Sequence, residues 1–165
     1  MATNLERAFE ARPDVYAAWR QLVTAIRANM ELRRYELVTL AAAQRLRSSY
    51  CSLAHASVLR DELGEDVPAI IRDRAGYLDA VDVAIMELVE QIVDDATSVQ
   101  ESDLQRLRDL GLTNGEIMDV VLAATARCFF SKTLDALCVL PDAHFSELEP
   151  ELQELLVVGR PISTA

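Results

Sequence analysis

Residues 117–140, IMDVVLAATARCFFSKTLDALCVL, place apolar side chains on almost every face of a helix. A helix of that kind must be covered all round, either at the centre of a domain or in part by a second subunit. Its start is marked by Thr113-Asn114-Gly115-Glu116, a capping-box pattern in which a hydroxyl and a carboxylate satisfy the first free backbone N–H groups. The rest of the chain repeats the same 3.6-residue period. A helix opens at Pro13 and runs to about 30. A second covers about 32–46, and a third, with Ser48 or Ser49 as its cap, stops at Gly64. A short helix near PAIIRD follows, then an amphipathic one over 78–96. In that helix Leu78, Val81, Ile85, Leu88, Val89 and Ile92 face one way, and Asp79, Asp82, Glu87, Glu90 and Asp94 form a solvated face. A further helix spans about 102–110. No strand-like alternation, repeat or linker interrupts the series. The expected fold is all-α: a single-domain helical bundle of 165 residues, with a core at about 15–140 and a peripheral tail over 141–165.

Charge narrows the function. With 27 acidic against 16 basic residues the net charge is −11, so neither nucleic acid nor an anionic membrane surface is expected as a partner. No apolar run reaches the ~18–20 residues needed to cross a bilayer. The N-terminus, MATNLERAFEARPD, lacks the apolar stretch of a signal peptide. Cys51, Cys128 and Cys138 are too widely spaced for a disulfide framework or a zinc site, and a reduced cytoplasmic setting is expected.

One cysteine stands apart. In RSSYCSLAH, Cys51 falls in the first turn of its helix, where free N–H groups and the positive dipole end favour a thiolate. His55, one turn on, shares its face and can exchange a proton with it. The plainer alternative is a small buried residue beside a structural histidine. Glu36 sits in an apolar stripe with Leu32, Leu40 and Ala43, and an inward carboxylate needs a partner. Consecutive helices pack together, so Glu36 can meet Cys51 and His55 across the turn; the alternative is a pair with Arg33 at the helix edge. Ser48 and Tyr50 flank the cysteine. Ser48 reads as a cap and Tyr50 as an anchor of the helix start, able to lend a hydrogen bond. Cys128 and Cys138 read as small core residues, and His144 has no visible partner.

YELVTLAAAQRLRSSYCSLAH resembles the core motif of the AhpD-like alkyl hydroperoxidase and carboxymuconolactone decarboxylase family. The family pattern is Glu, then Cys-x-x-Cys, then His. Glu36, Cys51 and His55 match it, and Ser48 stands where the first cysteine would be. LTNGEIMDVVLAATARCFFSKTLDALCV resembles the family's C-terminal helix. The resemblance implies an all-helical fold assembled as a homo-oligomer, a trimer or hexamer. In peroxidase members a cysteine pair reduces peroxides while Glu and His relay protons. Decarboxylase members act on a lactone acid without a cysteine pair.

The expected function is a thiol-dependent peroxidase, a peroxiredoxin-type antioxidant oxidoreductase. Cys51 would be its nucleophile, His55 and Glu36 its proton relay, and an external thiol its reductant. No metal or organic cofactor is implied, and the substrate is a hydroperoxide or a small organic acid. The rivals are a non-redox decarboxylase-type enzyme using His55 and Glu36, and an inactive homologue kept for binding or assembly.

Overall fold

The computed structural model describes residues 2–164. Among them are ten α-helices and no strand: α1 (Asn4–Ala8), α2 (Pro13–Arg27), α3 (Leu32–Arg45), α4 (Ser49–Asp61), α5 (Val67–Arg72), α6 (Arg74–Tyr77), α7 (Ala80–Asp95), α8 (Glu101–Asp109), α9 (Asn114–Ala136) and α10 (Pro150–Leu156). None is long and apolar enough to cross a membrane. The all-α expectation holds, with the short α1, α6 and α10 and two 3₁₀ segments added.

Within one chain the helix covered all round is α3, and α9 is covered only in part. Every residue from Tyr35 to Ala43 is buried, because α3 packs against α4, α7 and α9 together. Small residues at 41–43 let those neighbours approach closely. On α9, by contrast, Met118 and Phe129 are 57% and 51% exposed, and Leu122 is also exposed. The capping box at its start is formed: the Glu116 N–H donates to Thr113 Oγ1 (3.2 Å), and the Thr113 N–H donates to Glu116 Oε2 (2.8 Å).

Two surface readings change. Asp82, placed on the solvated face of α7, is buried and held by Arg33 and Arg34. The helix turns this residue towards α3, where two guanidinium groups offset its desolvation. The tail is not peripheral either. Phe145, Leu152 and Leu156 join the main core, and its backbone clamps the turn between α3 and α4. The Gly159 N–H donates to Ser49 Oγ (2.8 Å), and Arg47 Nε donates to the Val158 carbonyl (3.1 Å). Only glycine fits at 159, since a Cβ there would lie 2.0 Å from the Arg47 carbonyl oxygen.

Candidate active site

The α3–α4 turn sets the cysteine. Arg47 adopts a left-handed backbone (φ 57°), and the Ser48 N–H closes the turn on the Ala43 carbonyl at 2.9 Å. Ser48 takes the N-cap position of α4, but its hydroxyl makes no capping bond. Backbone bonds fix the turn instead, and Ser48 Oγ is buried without a hydrogen-bond partner. Ser48 does not line the site. Tyr50 does, and it anchors the helix start: its hydroxyl donates to Asp142 Oδ2 at 2.6 Å. Burial, followed by the Asp142 carboxylate, pushes that phenol well above its usual range.

Cys51, 2% exposed, borders a cavity of about 300 Å³ between α2, α3, α4 and α9. Glu36 and His55 open on the same cavity. Of the expected meeting across the two helices the histidine contact is present, with His55 Nδ1 2.5 Å from Glu36 Oε2, while the hydrogen bond of Cys51 goes elsewhere. Arg33 is not the partner of Glu36; it pairs with Glu65 (2.5 Å) and Asp82. A carboxylate oxygen only accepts, so with Glu36 ionised the proton sits on Nδ1 and leaves the Nε2 lone pair available. Burial pushes the His55 imidazole below its usual range. The charges of Arg127 and Arg27 push the same way, and Glu36 opposes them. The result is a neutral, oriented imidazole.

The hydrogen-bond partner of Cys51 is Arg127, which the motif-centred reading missed. Its Nη1 donates to Sγ (3.5 Å), and its Nη2 donates to the Tyr35 hydroxyl (3.5 Å). The guanidinium also lies over the Trp19 and Phe130 rings, 5.9 and 5.6 Å from their centroids. Burial works against its charge, but Cys51 and Tyr35 hold the guanidinium above its usual range. A signal did exist: Arg127 is the single arginine within the apolar helix, in AATARCFF. Tyr35, also missed, sets its ring edge-on to His55 at 6.2 Å, and Arg27 covers that ring at 5.0 Å.

The other cysteines are elsewhere. Cys128 is half-buried, and burial raises its thiol above the usual range. Cys138 is exposed, beyond the end of α9 in a left-handed conformation, and accepts a hydrogen bond from Arg160 (3.3 Å); neither is the core residue expected. All three are free thiols. His144 does have a partner, its ring lying 4.1 Å from Phe145. Larger clefts open beside His144 (about 520 Å³) and along α2 (about 560 Å³), but neither gathers buried titratable groups as the Cys51 cavity does. Among the described residues no cluster of three or more His, Cys, Asp or Glu side chains is arranged to hold a metal ion.

No protein-family model matches the sequence, and no curated protein matches it. Solved structures do. One is the alkylhydroperoxidase AhpD core of an uncharacterized peroxidase-related protein from Ralstonia eutropha JMP134. It is 16% identical, with a TM-score of 0.79 over 88% of this chain and 80% of that one. Another is an uncharacterized peroxidase-related protein from Silicibacter sp. TM1040. It is 18% identical, with a TM-score of 0.75 over 86% and 76% of the two chains.

Proposed function

We propose that this chain, which has the AhpD-like fold of those two structures, is a thiol-dependent peroxidase working through Cys51. The observation that carries the reading is the shared cavity: one buried thiol, a guanidinium on its sulfur and a His–Glu pair open on the same space. The thiol proton passes to His55. The thiolate then attacks one peroxide oxygen, and the O–O bond breaks. The departing alkoxide takes the proton from His55, so the peroxide becomes an alcohol and Cys51 a sulfenic acid. Glu36 orients the imidazole and stabilises its charged form. An external thiol displaces water from the sulfenic sulfur to give a mixed disulfide, and a second thiol releases Cys51.

Intact mass and peptide mapping after peroxide treatment test this. Cys51 should gain one oxygen, or form a mixed disulfide when a small thiol is present, and Cys51→Ser should abolish peroxide consumption. Glu36→Gln should slow turnover by about a hundredfold, as loss of a positioned proton relay does. Oxidation confined to Cys128 and Cys138 would overturn the assignment.

A second reading rests on one specific observation, that Sγ is hydrogen-bonded to Arg127 and not to His55. The His55–Glu36 pair is then free to move a proton beside a carbonyl, with Cys51 as a wall of the pocket. An unreactive Cys51 in a protein that still binds an organic acid favours it.

A further inference from the structure

Arg127 is 5% exposed, yet it has no carboxylate within 4 Å among the described residues. Far more exposed arginines, Arg12 and Arg45 among them, are ion-paired. In a chain with 27 acidic residues a buried guanidinium with no carboxylate beside it is conspicuous, because buried charge calls for an anion and the Cys51 sulfur offers one only when its thiol is ionised. Its two hydrogen bonds are both 3.5 Å long and go to a thiol and a phenol, and its Nε is buried with no partner. Three donor positions are therefore filled weakly or not at all. The acid of the cavity, Glu36, is engaged by His55. A second arginine, Arg27, also lines the cavity and is exposed at its edge, again with no ion pair among the described residues. The remaining walls include Trp19, Val58 and Phe130.

We propose that this cavity takes a small organic anion with an apolar body, its carboxylate seated on Arg127 and drawn in past Arg27. A planar carboxylate matches the guanidinium fork in shape and charge, and about 300 Å³ suits a short aliphatic or aromatic acid. This specifies the substrate of the peroxidase proposed above as a hydroperoxide bearing a carboxylate. It rests on that reading only in taking this cavity as the substrate's.

Trp19, the sole tryptophan, reports occupancy because its ring lies beside Arg127. The full chain is titrated with butanoate and with its neutral isostere butanamide while Trp19 fluorescence is followed. Butanoate should give a saturable change with at least about tenfold tighter binding than the amide, as expected when a buried cation meets a carboxylate rather than an amide. Arg127→Met should erase the preference, and Arg27→Gln, at an exposed position, should weaken butanoate by about threefold. Should R127M fail to fold, Arg127→Lys and R27Q carry the comparison. Equal responses to the two ligands, or no saturable response to butanoate, would overturn the proposal. Hydrogen peroxide oxidation of Cys51, followed by mass on the same preparation, separates the two claims. Oxidation without carboxylate preference sinks this inference alone, and carboxylate preference with an inert Cys51 sinks the thiol mechanism alone.

Discussion

Ser48 and His55 show how single side chains set the chemistry around Cys51. Ser48 is fully buried, and its hydroxyl has no partner. A thiol of similar size at that position would be easier to desolvate, and it would restore the pair three residues apart that a dithiol cycle uses. Ser48→Cys should therefore fold at least as well as the natural protein. After peroxide it should lose water from the Cys51 sulfenic acid and form an internal 48–51 disulfide, read by peptide mapping. The natural protein should give no internal disulfide from Cys51. His55 makes a pH-dependent contribution. Its folded value lies below the unfolded ~6.5, so between the two the unfolded chain binds more protons. Stability from this group is complete above pH ~6.5 and falls as pH drops through the folded value. Urea melts of the natural protein and His55→Gln across pH 5–7 should show a shallower pH slope in the variant.

At the level of elements, the decisive piece is the turn between α3 and α4 and the tail laid across it. The turn carries a non-glycine residue, Arg47, in the left-handed region, a conformation that costs about 1–2 kcal/mol for an L-residue. Hydrogen bonds from Arg47 to Val158 and from Gly159 to Ser49 hold it from outside. Gly159→Ala drives a methyl group into the Arg47 carbonyl, and the tail must lift to relieve it. The expected result is a loss of about 2 kcal/mol, in the range for local overpacking, with faster hydrogen exchange at Ser48–Cys51 and slower peroxide turnover. A variant as stable as the natural protein, with unchanged exchange there, would show that the tail does not brace the turn.

On the scale of the whole molecule, the open question is the exposed apolar face of α9. Met118, Leu122 and Phe129 lie on one side of the helix, and the ring of Trp19 of α2 lies tilted beside Phe129 at 5.7 Å. We propose that this face is buried against further copies of the chain. It is the surface that the expected homo-oligomer, a trimer or hexamer, would use. Sedimentation at micromolar concentration should give a particle larger than 18.3 kDa, and Leu122→Glu combined with Phe129→Glu should shift it to monomer. A natural protein that sediments as a monomer would refute the assignment of this face.

The sequence by itself determined the all-α class and the positions of the principal helices, and it brought Glu36 within reach of Cys51 and His55 without choosing between them and Arg33. These depend on period, capping residues and local spacing, all of which act within a few residues or between consecutive helices. It marked α9 as the helix needing cover on every side and gave α3 only one apolar stripe; only packing shows that α3 has neighbours on every side. It also misjudged Asp82 and the tail, whose partners lie far away in the chain. Above all, it could not place Arg127 on Cys51, 76 residues apart. An arginine in an apolar helix is legible in one dimension; the sulfur it faces is chosen by how α4 and α9 cross, and that is settled only when the core closes around them.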